Sequence, residues 1–217
     1  MSIGIIDYGM GNVGAIANML LALGVPAQVL ADPQALPQPP PRALILPGVG
    51  AFDAGIERLT NSGWAAALRE VVVQGRTPLL GICLGMQLMT AGSAEGARAG
   101  LGWIAARVTA FRDDPACAGL VVPHMGWRRL SVPQASPLFP DGPDPEGERH
   151  RFYFVHSYRI VDPADAEPLA WCTYGRPFVA AWRRGPLWGV QFHPEKSHRC
   201  GKQLLRAFAR LAARPER

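Results

Sequence analysis

The sequence predicts an α/β protein with a mainly parallel central sheet covered by helices, and an antiparallel extension in its C-terminal half. Three observations carry this. Up to about residue 100, short wholly apolar runs alternate with segments of helical periodicity, the pattern of parallel strands buried on both faces. Beyond it, the helical segments give way to strand-like runs separated by turn residues. A chain of 217 residues with 48% hydrophobic content can close one large core, so a single domain over residues 1–217 is expected.

The elements follow in order. Ile3 to Ile6 is an apolar run ended by Asp7-Tyr8-Gly9 and reads as a buried strand. Val13 to Leu23 is helical, with Ile16, Leu20 and Leu23 on one face and Gly24 at the C-terminal cap position. Pro26 to Leu30 and Ala43 to Leu46 are the next strands, and the Pro-rich stretch Pro33 to Pro41 between them reads as an extended surface connection without helix. Helical stretches over Ala54 to Leu59 and Trp64 to Gln74 lead to the apolar run Pro78-Leu79-Leu80. Strands are then expected over Trp103 to Phe111, Gly119 to Leu130, Arg151 to Arg159, Leu169 to Tyr174, Phe178 to Arg183 and Leu187 to Val190, as one meander-like extension. Pro137 to Arg149 reads as a loop, and Ser197 to Ala213 as a closing helix with Leu204, Leu205, Phe208 and Leu211 inward.

Composition narrows the function classes. The net charge of +5 is modest and dispersed, and the arginines from Arg206 to Arg217 alternate with apolar residues as a solvated helix face does, so no nucleic-acid partner is expected. Cys83, Cys117, Cys172 and Cys200 are widely spaced, without a CxxC pair or a zinc-type cluster. That spacing points to a reducing compartment and to no metal or other cofactor. The N-terminus lacks the pattern of a signal peptide and no apolar run is long enough to span a bilayer, so a cytoplasmic protein with no membrane partner is expected.

Two motifs carry chemistry. Gly81-Ile82-Cys83-Leu84-Gly85 sits at a strand-to-helix junction, where flanking glycines permit a strained turn that projects a nucleophile from the sheet edge. The amides at the start of the following helix favour a thiolate. Gln191-Phe192-His193-Pro194-Glu195 follows the last strand. On an extended chain, residues two apart point the same way, so His193 could serve as the base and Glu195 could orient it. The N–H of Leu84 is a candidate oxyanion donor, and the loop Pro47-Gly48-Val49-Gly50 offers Val49 and Gly50 as a second source of backbone amides. Each feature alone has a plainer reading: a buried cysteine on a glycine turn, an exposed polar turn, a tight turn after a strand.

The blocks Gly-Ile-Cys-Leu-Gly-Met-Gln and Gln-Phe-His-Pro-Glu-Lys-Ser resemble those of the class I (triad-type) glutamine amidotransferases. Four further blocks resemble the glutaminase subunits of imidazole glycerol phosphate synthase within that superfamily: Ile6 to Asn12, Leu46 to Phe52, Val122 to Trp127 and Tyr153 to Tyr158. The resemblance implies a flavodoxin-like fold and a Cys83–His193–Glu195 triad that hydrolyses glutamine through a thioester. It implies that Gln87 and Glu95 hold the glutamine, with Gly50 and Ser157 contributing backbone groups. Taken alone, Gln87 would be a helix-surface residue and Glu95 an ordinary acidic loop residue.

It also implies a (β/α)8-barrel cyclase partner that uses the ammonia, with Asn12, Met125, Trp127 and Lys196 near the interface. Trp127 could instead be core packing. Arg128 stands where that family usually has Asn, a long cation beside the expected interface. A second reading keeps the glutaminase but sends ammonia to a sugar amidotransferase of surface-polysaccharide synthesis. A third, a non-catalytic scaffold, would predict loss of a triad residue.

Overall fold

The computed structural model describes residues 2–146 and 149–212. Ala213, the expected end of the last helix, and the Arg-bearing end beyond it lie outside the described residues. So do 147 and 148 of the expected loop.

The parallel strands form where predicted. β1 (Ile3–Ile6), β2 (Ala27–Leu30), β3 (Ala43–Leu46) and β4 (Leu79–Ile82) are nearly all apolar, and in β1, β3 and β4 every residue is buried. Alternate residues feed opposite faces. Ile3, Ile5, Ala43, Ile45, Leu80 and Ile82 meet one hydrophobic cluster, whereas Ile6, Leu44, Leu46 and Leu79 meet the other. That is why these runs are apolar throughout rather than alternating.

α1 (Val13–Ala22) covers the first face with Ile16 and Leu20. Asn12 caps it, its side chain accepting from Ala15 N–H, and Gly24 follows at φ +69°. α2 (Phe52–Asn61) and α3 (Trp64–Leu68) cover the second face, and α3 runs on through a wider winding over Arg69–Gln74. Between β2 and β3, Pro33–Ala35 closes one 3-10 turn, capped by Asp32. The Pro-rich stretch is thus not wholly extended, because Pro fits the first position of such a turn.

After β4 comes a short helix, α4 (Leu84–Leu88). The C-terminal half then departs from a single meander. β5 (Gly92–Ser93), unforeseen in the sequence, joins β6 (Arg107–Ala110) and β9 (Tyr158–Ile160) in a small sheet, while β7 (His124–Arg129) and β8 (Arg151–His156) form a separate ribbon. β10 (Glu167–Tyr174), β11 (Arg176–Arg184) and β12 (Leu187–Val190) extend the main sheet itself. Its order is β10-β11-β12-β4-β3-β1-β2, with β12 parallel to β4 and the outer two strands antiparallel.

The expected strand Trp103–Phe111 is shorter because the N–H groups of Trp103 and Ile104 donate to Met89 O, and Phe111 enters a 3-10 turn. Gly119–Leu130 is strand only from His124. Arg151–Arg159 breaks at Ser157, whose carbonyl turns to accept from Phe111 N–H. α5 (His198–Ala212) closes the first face with Leu204, Leu205 and Phe208, and Leu211 is half-buried.

This order puts β3, β4 and β12 side by side and parallel. The loops leaving their C-terminal ends therefore meet at one sheet edge, where α/β folds place their sites.

Candidate active site

Cys83 stands at the end of β4 with φ 52° and ψ −111°, a backbone conformation that side-chain-bearing residues rarely adopt. The elbow is held by close packing. A Cβ on Gly85 would lie 1.9 Å from the carbonyl oxygen of Leu46, and one on Gly81 would lie 2.3 Å from Met89 Cε. Only glycine at both places lets α4 sit down on β3 and β4. The helix spans one turn and a half, so the amides of its first turn, rather than a long helix dipole, act on the sulfur.

His193 follows β12, and its N–H is tied to Tyr153 O on β8. Its Nδ1–H donates to Glu195 Oε1 at 2.7 Å, with both side chains 2% exposed. The route to that contact differs from the extended pair expected. Pro194–Lys196 is a 3-10 turn, and it folds Glu195 back onto the ring. Ser197 secures the turn: its hydroxyl donates to His193 O at 2.6 Å and accepts from Tyr153 N–H at 3.0 Å. With Nδ1 committed as a donor, Nε2 is the basic nitrogen. It is buried and belongs to the cleft that Cys83 lines. Burial opposes the charged ring, yet Cys83 and Glu195 outweigh it and lift the pKa of His193 to about 10. That favours an imidazolium held ready beside the sulfur.

The cleft holds most of the expected site. Val49, Gly50, Cys83, Leu84, Gln87, Glu95, Ser157 and His193 line it, with Pro123, Val155, His156 and Tyr158 completing the walls of a cavity of about 280 Å³. Gln87 is not on a helix surface but buried, its Nε2 donating to Tyr158 O at 3.2 Å and to Gln191 Oε1 at 3.0 Å. With that nitrogen so engaged, the amide oxygen is turned away from both partners. Glu95 Oε2 accepts from Phe52 N–H at the start of α2, at 2.9 Å, which fixes the carboxylate at the cleft. Leu84 N–H, the expected oxyanion donor, points at Gly48 O over a long 3.4 Å.

The four expected interface residues are dispersed in role. Asn12 caps α1 in the loop after β1. Met125 is 54% exposed. Trp127 is half-buried rather than core, stacked on the His198 ring at 5.4 Å and 9°. The exposed Lys196 reaches over the Tyr153 ring. Arg128 folds back instead of projecting: its Nη1 donates to Trp127 O and its guanidinium lies over Tyr174. Cys117 and Cys172 pack in the core as thiols, and burial pushes the Cys172 thiol up to about 12.

Sequence reasoning missed four contributors: Gln191, Ser197, Asp53 and the pair His124–His156. Gln191 and Ser197 lie inside the quoted motif, but their partners, Cys83 and Tyr153, are 108 and 44 residues away. Asp53 accepts from Ala97 and Arg98 N–H, which pulls its pKa down and pins the loop that carries Glu95. Nothing local signals any of these contacts.

Comparison with known proteins gives the family and the fold. The family described as Glutamine amidotransferase class-I matches residues 4–211. The chain is similar to "Imidazole glycerol phosphate synthase subunit HisH 2" of Pseudomonas aeruginosa, 43% identical over 209 residues, 95% of this chain and 98% of that one. It is also similar to "Imidazole glycerol phosphate synthase subunit HisH" of Moorella thermoacetica, 45% identical over 214 residues, 96% and 94% of the two chains. Among solved structures, a glutamine amidotransferase shares the fold with a TM-score of 0.71 at 22% identity, covering 98% of this chain and 99% of that one. The glutaminase domain of Trypanosoma brucei CTPS, with bound acivicin, shares it with a TM-score of 0.63 at 17% identity, covering 100% and 96%. The chain belongs to the class-I glutamine amidotransferase family, in the branch of the imidazole glycerol phosphate synthase HisH subunits.

Proposed function

We propose that this chain is the glutaminase subunit of an imidazole glycerol phosphate synthase, with Cys83, His193 and Glu195 as its triad. The observation that carries the reading is the single cleft in which an elbow cysteine and a carboxylate-oriented histidine meet the buried Gln87 and the anchored Glu95.

The chemistry follows from the atoms. With the proton of Cys83 already held on His193 Nε2, the thiolate attacks the side-chain amide carbon of glutamine. Leu84 N–H and an amide of the Val49-Gly50 loop stabilise the oxyanion. The C–N bond breaks as His193 returns its proton to the leaving nitrogen, which departs as ammonia. Water then attacks the thioester, His193 takes its proton, and the C–S bond breaks to release glutamate and the thiolate. Glu195 keeps the ring in the required tautomer throughout. The amide oxygen of Gln87 and the carboxylate of Glu95 suit the polar head of the amino acid, Glu95 through its charge.

Ammonia released into water is protonated and lost as a nucleophile, so the site needs a partner seated over its mouth. Val49, Leu120, Val121, Val122 and Met125 form an exposed apolar set on segments that border the cleft, and Val121 is 76% exposed. A (β/α)8-barrel cyclase subunit docked there would receive the ammonia directly. The names carried by the similar proteins favour this acceptor over a sugar amidotransferase. No helix among the described residues is long and apolar enough to cross a membrane, and we infer a cytoplasmic complex of the two subunits.

The test is Cys83→Ala in the complex with the cyclase. Glutamine-dependent synthesis should be lost while ammonia-dependent synthesis remains. Glutamine hydrolysis retained by Cys83→Ala would sink the mechanism. Failure to complement a histidine auxotroph, with the glutaminase intact, would redirect the ammonia to the other acceptor.

A further inference from the structure

A directed hydrogen-bond relay runs through the buried wall of the cleft and ends on the sulfur of Cys83. It starts at the backbone carbonyl of Tyr158, which can only accept. Gln87 Nε2 lies 3.2 Å from that oxygen, so the nitrogen end of Gln87 must face it. The same NH2 group meets Gln191 at 3.0 Å, so Gln191 must present Oε1 to it. The amide nitrogen of Gln191 is thereby turned onto Cys83 Sγ, 3.6 Å away. Flipping either amide sets acceptor against acceptor or donor against donor, so the direction is fixed by the carbonyl.

The anchor is itself doubly held. His156 Nδ1–H donates to Tyr158 O at 2.7 Å, which leaves Nε2 to accept from His124 Nδ1–H at 2.9 Å. Burial drives both rings toward neutrality, with pKa values of about 3 for His156 and about 4 for His124. The donors at the carbonyl therefore keep one protonation state across the physiological range. Gln191 is fully buried, and its backbone N–H is fixed to Ala180 O, so its side chain has no solvent-facing alternative.

We infer that Gln191 is a further catalytic residue, whose amide N–H donates to Cys83 Sγ and stabilises the sulfur as a thiolate, both before attack and as the leaving group of the thioester. This rests on the reading of Cys83 as the nucleophile. A donor aimed at a sulfur gains most when the sulfur is charged and the surroundings exclude water. His193 and Gln191 then divide the work: one moves the proton, the other steadies the anion that remains.

Two substitutions test it in the complex with the cyclase. Gln191→Met keeps the length but has no donor. Gln191→Glu still accepts from Gln87 but sets a carboxylate beside the sulfur. For Gln191→Met, kcat should fall about tenfold, the scale of one hydrogen bond to a charged group, with KM within about twofold. The pH–rate profile of iodoacetamide alkylation at Cys83 should move to higher pH, and further in Gln191→Glu. Misfolding would lower the reactive fraction without displacing that profile. Wild-type kcat and alkylation profile in either folded variant would overturn the proposal. Cys83→Ala separates the two readings. If it retains glutamine hydrolysis, the nucleophile assignment itself fails. If it is inactive while the Gln191 variants behave as wild type, only the role of Gln191 fails.

Discussion

The ring of His193 and the carboxylate of Glu195 are joined by a 2.7 Å hydrogen bond folded across a single 3-10 turn, both groups almost wholly buried. This pair makes stability depend on pH. The ring's pKa stands near 10 against an ordinary 6.5. The folded protein thus holds a proton that the unfolded chain releases above pH 6.5. The contribution of His193 to stability is fully present below about pH 6.5 and is lost as pH rises through 10. Glu195→Gln should shrink that loss by lowering the folded pKa, and should cut glutaminase kcat by about ten-thousandfold by favouring the wrong ring tautomer. Thermal midpoints recorded from pH 6 to 10 check the first part. Equal slopes for wild type and Glu195→Gln would refute it.

Asp53 holds the loop that carries Glu95 without touching the cleft. Its carboxylate accepts from Ala97 and Arg98 N–H at 2.9 and 3.0 Å, while Glu95 N–H donates to Ser93 Oγ at 3.0 Å. The loop carrying Glu95 is thus fastened to the start of α2 beyond Glu95 and braced on Ser93 before it. Asp53→Ala should raise the KM for glutamine about tenfold and leave kcat within about twofold, because binding geometry is loosened while the triad is untouched. Steady-state kinetics decide. A fall in kcat at constant KM would mean the loop acts on the chemistry instead.

The sequence was legible where local pattern and tertiary need coincide. Ile3–Ile6, Ala43–Leu46 and Leu187–Val190 are apolar at every position because both sheet faces are covered, and these three strands have the bounds read from the sequence. Cys83 was legible because glycine on both sides of a cysteine after a strand has few other uses. His193 and Glu195 were paired correctly for the wrong local reason, since a proline after His193 reads equally as a stiff extended link or as the start of a 3-10 turn. What stayed hidden depends on distant partners. Gln191 reads as one more polar residue after a strand until β12 is laid beside β4 and brings it to Cys83. The C-terminal half misled because His124–Arg129 and Glu167–Tyr174 look alike in sequence, yet one joins a ribbon and the other the main sheet.

Two glycines should respond oppositely to alanine. At Gly85 the new Cβ would lie 1.9 Å from Leu46 O, a backbone atom that cannot yield without moving β3. Gly85→Ala should destabilise the protein by more than ~3 kcal/mol. At Gly14, in α1, the Cβ would meet nothing within 4 Å. There the substitution should stabilise by about 0.5–1 kcal/mol through helix propensity and a less flexible unfolded chain. Chemical denaturation of both variants measures the contrast. A neutral Gly85→Ala would show that the elbow does not need the close approach of α4 to β3.

At the same elbow the first amide of α4 is already engaged. Leu84 N–H is directed at Gly48 O, 3.4 Å away, so the amide expected to bind the oxyanion already faces a protein acceptor. A substrate oxyanion must displace that carbonyl, which requires the Gly48-Val49-Gly50 backbone to turn. Gly50, at φ +110° and exposed, has the freedom to do so, and Val49 beside it is 44% exposed at the mouth of the cleft. A partner seated on that mouth would contact the loop before any other part of the site. One oxyanion donor is worth about 10²–10³ in kcat, so adding the cyclase subunit should raise the glutaminase kcat of the isolated chain by about that factor. The change should fall mainly on kcat, because the donor is needed in the transition state more than in the bound ground state. Full glutaminase activity from the isolated chain would mean that the carbonyl of Gly48 is no obstacle and that the oxyanion site stands ready without the partner.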